Sequence, residues 1–194
     1  MGTIDTQAQD RADMEKLAAG HDAALSDLME RHAGPVFQFL YRLLGNEEDA
    51  HDLAQETFVR VYRHRERFDS SGKFTTWFYT IASNLARNEY RRRGRHPNVP
   101  LEGRDEASKG TLADVLPSED VGPSVAAEMA EAQEAVRSAV QALPEDLREA
   151  IVLCEWEEMS AAETAEVLQT TARAVEVRLY RARILLRAKL KTCM

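Results

Sequence analysis

Apolar residues return at three- and four-residue steps through residues 22–93 and again from 124 onward, and no stretch alternates in the manner of a strand. A period near 3.6 puts such residues on one face of a helix, so the pattern restricts the chain to an all-α fold. Between Gly94 and Pro123 the period vanishes, and Gly, Pro, Ser and acidic residues take over. Such a stretch lacks the apolar groups to close a core and reads as a flexible linker. The expected organisation is two helical domains, 20–95 and 124–192, joined by an acidic linker over 96–123.

The first helix is expected over 22–44, with Leu25, Leu28, Val36 and Leu40 inward. Gly34-Pro35 falls inside it, and proline costs about 3 kcal/mol in a helix interior, which predicts a break or kink. Gly45-Asn46 closes this helix and opens the next, about 47–65, with Asn46 as the cap. That helix buries Ala50, Leu53, Ala54, Phe58 and Val61 and shows Asp49, Asp52, Gln55 and Glu56 on its other face. The turn cluster Phe68–Lys73 precedes a third helix, about 74–93, with Trp77, Ile81 and Leu85 at four-residue steps. Trp77 and Phe78 have faces for unstacked bases, although the stripe they share favours burial.

Past the linker, Met129, Val136, Val140 and Leu143 resume the period, and Pro144 suits the start of a further helix reaching about Glu157. Ser160 with Glu163 forms a capping box. A short helix, the turn Gln169-Thr170-Thr171 and a basic helix from about Ala172 then make a helix-turn-helix, whose second helix enters the major groove in DNA-binding proteins. Arg173 and Arg178 suit guanine, Glu176 suits cytosine, and Arg181, Arg183 and Arg187 suit phosphates. The plainer alternative is a solvated helix face in an ordinary bundle.

Charge decides how such a chain meets a polyanion. The 194 residues carry a formal net charge of -8, so affinity for nucleic acid must come from local patches. Arg87 to His96 holds five arginines against Glu89, and Arg173 to Lys191 holds seven basic residues against Glu176. Residues 98–135 between them hold nine acids and two bases. Two basic helices on an acidic tether resemble two grips on one polyanion.

Other classes find little support. Met1 to Asp13 is polar and acidic, without the apolar segment of a signal peptide, and no run approaches the length of a membrane span. Cys154 and Cys193 form no CxxC pair and suit a reducing cytoplasm, with Cys154 read as a buried small hydrophobe. Glu48 and His51 have the Glu-x-x-His spacing of di-iron bundles, but no second copy exists, and His51 reads as an exposed helix residue. No HExxH, Walker loop, GxSxG or zinc-ligand set is present, so neither a reaction, a cofactor nor a metal is expected.

Five stretches in register carry a resemblance. DAHDLAQETF (Asp49 to Phe58) and FTTWFYTIASNLARNEYRRR (Phe74 to Arg93) resemble region two of sigma factors. ALPEDLREAIVL (Ala142 to Leu153), MSAAETAEVL (Met159 to Leu168) and VEVRLYRAR (Val175 to Arg183) resemble region four. The arrangement is similar to the extracytoplasmic-function (ECF) group of the sigma-70 family. That resemblance implies a cytoplasmic, non-enzymatic subunit that binds core RNA polymerase through Asp49, Asp52, Gln55 and Glu56. It implies contact with the −10 element through the 68–73 turn and Asn84, Arg87, Arg91, Arg92 and Arg93. The −35 element would meet Arg173, Glu176, Arg178, Arg181 and Arg183, the linker would run toward the RNA path, and an anti-sigma protein would be a further partner. Two departures stand out: Arg173, Ala174 and Glu176 replace a common Gly-Thr pair and basic residue, and Thr164 replaces an aliphatic one. The rival reading is a stand-alone helix-turn-helix regulator with an N-terminal sensing bundle.

Overall fold

The computed structural model describes residues 6–95 and 123–192. Among them it places eight α-helices, one short 3-10 turn (Arg65–Arg67) and no strand. The expected linker, 96–123, lies outside the described residues except for Pro123, the first residue of a helix.

The N-terminal half contains α1 (Thr6–Ala18), α2 (Ala23–Leu44), α3 (Glu47–Arg63) and α4 (Phe74–Arg95). Leu28, Val36, Phe39, Leu40, Phe58, Val61, Phe74 and Phe78 interdigitate in its core. The expected break at Pro35 does not occur, and α2 is continuous through it. Proline removes only one backbone donor, and the burial of Val36, Phe39 and Leu40 just beyond holds both sides of it in place. Gly45 then ends α2 at φ 69°, a left-handed conformation that glycine adopts without a Cβ penalty. Asn46 Oδ1 accepts the Asp49 N–H at 2.9 Å, the expected cap.

Helix α1 is absent from the periodicity reading, and its buried face explains why. Asp10, Asp13, Met14 and Leu17 share that face, so half of it is charged. Arg31 on α2 reaches Asp10 at 2.9 Å and Asp13 at 2.7 Å, and His32 Nε2 lies 2.9 Å from Asp10. Lys16 and Arg31 together hold the Asp13 carboxyl below the usual range against the opposing effect of burial.

On α4 the inward stripe sits one residue beyond the expected one. Phe74, Phe78, Ala82 and Ala86 face the core with Leu85, while Trp77 and Ile81 are half-buried at its edge. Trp77 leans on Phe68 and Phe74, with ring centroids 5.4 Å and 6.3 Å away.

The C-terminal half contains α5 (Pro123–Gln141), α6 (Glu145–Glu155), α7 (Ala161–Val167) and α8 (Ala172–Thr192). Of the expected α5 stripe only Val140 and the following Leu143 are buried, whereas Met129 and Val136 face solvent. Helix α6 stops at Glu155, short of Trp156, which is partly exposed. Ser160 and Glu163 make both bonds of the capping box. Gln169, at φ 52°, turns the chain from α7 into α8, whose Val175, Leu179 and Ala182 face inward. Thr164 is fully buried, and its hydroxyl meets the Sγ of half-buried Cys154 at 3.2 Å. The hydroxyl thus has a partner, which removes the penalty of placing threonine where an aliphatic side chain would fit.

The two halves are docked. Helix α2 packs against α5 and α6, α4 packs against α7, and the buried apolar cluster runs across the seam.

Candidate nucleic-acid interface

The acidic face of α3 forms as the spacing requires. Asp52 and Gln55 are exposed, whereas Glu56 pairs with Arg60 at 2.9 Å and Asp49 pairs with Arg93 at the end of α4. That acidic row is therefore only half available to a partner.

Three arginines of α4, Arg87, Arg92 and Arg93, are held even more firmly. Arg92 donates two hydrogen bonds to Glu89, at 2.7 and 2.8 Å, and Arg93 adds a third at 3.0 Å. Bonding to Arg92, then to Arg93, holds the Glu89 carboxyl below the usual range even though burial opposes it. Arg93 also donates to the Leu44 carbonyl at 3.2 Å, which fastens the end of α4 to the end of α2. Arg87 reaches across the seam to Glu149 at 3.0 Å, with half-buried Asn84 beside it. Arg91 is exposed, one turn before the end of the helix. In the turn ahead of α4, Asp69 accepts the Ser71 N–H at 2.9 Å, and Lys73 pairs with Glu163 on α7.

Helix α8 presents a different surface. Arg173, Glu176 and Arg181 are exposed on the side away from the core. Arg178 is half-buried and turned to Asp146 at 3.6 Å, and Arg183 is held by Glu155 at 2.6 Å. Val177, Tyr180 and Ile184, which the sequence reading passed over, share the exposed face, Tyr180 at 68% exposure. Only their displacement from the Val175-Leu179-Ala182 stripe could have revealed them. A short capped helix, a tight turn and a long helix with exposed arginines at its start have the form of a major-groove reader.

Among the described residues no group of His, Cys, Asp or Glu is arranged to hold a metal ion, and no helix is long and apolar enough to cross a membrane. His51 is exposed, its ring 4.3 Å from that of Phe37.

Fold and surfaces together describe a two-part all-helical protein, with a helix ending in a run of arginines in one half and a helix-turn-helix in the other. Comparison with known proteins narrows this class. Residues 28–96 match Sigma-70 region 2, and residues 133–186 match Sigma-70, region 4. The chain is 31% identical to the ECF RNA polymerase sigma factor SigW of Bacillus subtilis, over 92% of this chain and 95% of SigW. It is 32% identical to the RNA polymerase sigma-H factor of Pseudomonas aeruginosa, over 92% of each chain. The solved structure of CnrH, in complex with the cytosolic domain of CnrY, superposes on 95% of this chain and 98% of its own with a TM-score of 0.69 and 28% identity. The chain belongs to the sigma-70 family, in its ECF group. It is accordingly an alternative sigma factor, the subunit that directs RNA polymerase to promoters.

Proposed function

We propose that the two halves divide the work of initiation as their surfaces suggest. The α3 face built from Asp52 and Gln55, flanked by Asp49 and Glu56, is assigned to core RNA polymerase. Helix α4 and the 68–73 turn are assigned to the −10 element, with Asn84, Arg87 and Arg91–Arg93 as the contacting groups. Helix α8 is assigned to the −35 element through Arg173, Glu176, Arg178, Arg181 and Arg183. The linker's course toward the RNA path belongs to the same reading, but 96–122 lie outside the described residues. The domain assignment is 20–95 for region two and 124–192 for region four, with α1 added to the first body. The role is binding without a reaction of the chain's own, in the cytoplasm where polymerase and promoter meet. An anti-sigma protein completes the reading, supported by the likeness to CnrH, which was solved with the cytosolic domain of a second protein on it.

The observation that carries the polymerase assignment is the exposure of Asp52 and Gln55 on a helix whose opposite face is fully packed. Substituting both by Arg should lower affinity for core polymerase more than tenfold, because reversing the charge at Asp52 and adding a cation at Gln55 turns an acidic surface basic. Helicity and melting temperature should not change, since neither side chain supports the core. Undiminished polymerase binding by a folded double variant would refute the assignment.

A further inference from the structure

Helices α2 and α5 and the turn after α6 line a groove of about 380 Å³, within the roughly 300–1,000 Å³ of small-molecule sites. Tyr41 and Arg42 come from α2, Ala132, Val136 and Arg137 from α5, and Trp156 from the turn that follows Glu155. Ala132 is exposed on that wall, and its single methyl leaves open what a larger side chain would fill. Most of the wall is apolar, yet Val136 and Trp156 each keep more than a third of their surface in water. Apolar surface in a concavity is where a ligand gains most by displacing water. Met129, exposed seven residues before Val136 and so on the same face of α5, carries the apolar strip beyond the groove.

The charges on this wall are unevenly paired. The Arg42 guanidinium lies 5.5 Å from the centroid of the Trp156 ring, and that of Arg137 lies 5.4 Å from the centroid of Tyr41. A guanidinium held on a ring face keeps planar N–H donors for an anion. Arg137 already donates to the Tyr41 hydroxyl at 2.9 Å and pairs with exposed Glu134 at 3.2 Å. Arg42 has less. The carboxylate facing it, Glu157, is 3.8 Å away and accepts the Tyr79 hydroxyl as well. Burial is the largest influence on both groups, pulling Arg42 down and pushing Glu157 up, so neither fully compensates the other. A half-buried cation with a weak counter-ion thus stands beside an apolar groove.

We propose that this groove binds a free medium-chain carboxylate, its acyl chain over Val136 and Trp156 and its charge against Arg42. One under-paired guanidinium matches one negative charge, and a second charge would face Glu157. The size favours a slender chain over a partner helix. Two turns of helix, about 10 Å across and 11 Å long, would displace roughly twice the volume of the groove. Such binding is independent of the polymerase and promoter assignments, since none of the groove residues carries either.

The test uses the full chain and calorimetry with hexanoate, octanoate, decanoate and 1-decanol. Wild type should bind one decanoate per chain, with affinity rising roughly fourfold per added methylene. The alcohol should bind at least about tenfold more weakly, because it lacks the charge-assisted bond to Arg42. Ala132→Phe fills the groove from an exposed helix position and should abolish binding with helicity and melting temperature intact. Arg42→Met should weaken decanoate at least about tenfold and leave 1-decanol unchanged, a split that general loss of structure would not produce. Decanoate brominated at its far end should quench the emission of Trp156, and Trp156→Phe should remove the quenched component while the emission of Trp77 persists. Non-saturating uptake by wild type, equal affinities for decanoate and 1-decanol, or undiminished binding by folded Ala132→Phe would overturn the proposal.

Discussion

The two basic helices look alike in sequence and differ in what their arginines are doing. On α4, Arg87, Arg92 and Arg93 are each held by a carboxylate, of Glu149, Glu89 and, for Arg93, also Asp49. On α8, Arg173 and Arg181 stand exposed, and the pairs to Arg178 and Arg183 involve carboxylates that are themselves largely exposed. Solvated pairs are worth about 0–1 kcal/mol and exchange readily for phosphate. Buried carboxylates release an arginine only if they are left unpaired or move into water. A run of positive charge is therefore no measure of a helix's readiness to bind DNA. What counts is whether its counter-charges are buried.

The largest expected effect lies on α8. Arg173→Ala together with Arg181→Ala should leave the melting temperature unchanged, because neither side chain packs against the core. If Arg173 is bidentate to guanine, its loss costs about 1–3 kcal/mol and relaxes preference at one base pair. Transcription from a panel of −35 variants should then fall roughly 5- to 100-fold on the preferred sequence and much less on the others. Equal losses across the panel would reduce α8 to a phosphate-binding helix like any other.

A smaller effect separates the two carboxylates that hold the α4 arginines. Glu89 lies within region two and is held below the usual range by Arg92 and Arg93. Glu149 lies on the seam, facing Arg87, Ser83 and Arg178, and burial pushes its carboxyl up. Burial likewise pushes up Glu157, which faces Tyr79 and Arg42. A group whose value is raised by docking stabilises the docked state most below its undocked value, near 4.5, and that contribution fades as pH rises through the docked value. Glu163 has the opposite sign: the Lys73 bond first, then Ser160, hold it at about 2, so its contribution fades only as pH falls below the ordinary range. Above the ordinary carboxylate range only the first sign varies, and the closed fraction should fall as pH rises. Energy transfer between dyes on the two halves would follow it. Glu149→Gln with Glu157→Gln should flatten the profile, and a wild-type profile that rises with pH would contradict the assignment of these carboxylates.

Much of this was legible before any coordinates. The helix-turn-helix followed from Ser160, Glu163 and the turn Gln169-Thr170-Thr171, because capping and turn chemistry are local and leave marks in the sequence. Helix α1 was not legible, since Asp10 and Asp13 on its inner face defeat a search for apolar spacing, and their partners Arg31 and His32 come from another helix. The α4 stripe lies one residue from the expected one because Trp77-Phe78 offers two adjacent aromatics, and rings from other helices, Phe58 at 5.3 Å and His32 at 5.6 Å from Phe78, decide between them. The partnering of Asp49 and Arg93 was hidden for the same reason. Both sit on polar faces of separate helices, and a sequence does not state which polar faces meet.

The smallest prediction attacks the comparison itself. Glu89→Gln keeps the shape of the side chain and removes the charge that holds Arg92 and Arg93. Both guanidiniums would then be as free as Arg173, apart from the bonds of Arg93 to Asp49 and Leu44 O. Each cation that newly neutralises a phosphate steepens the dependence of log affinity on log salt by about 0.9. Nonspecific binding of the variant to duplex DNA should therefore show a slope steeper by about one unit, chiefly from Arg92, whose side chain is already 65% exposed and whose paired carboxylate is Glu89. The −35 preference should not change, because α8 is untouched. If the slope stays at the wild-type value while the fold persists, the Glu89 pairs do not limit access to the α4 arginines, and the contrast between the two helices must come from the seam alone.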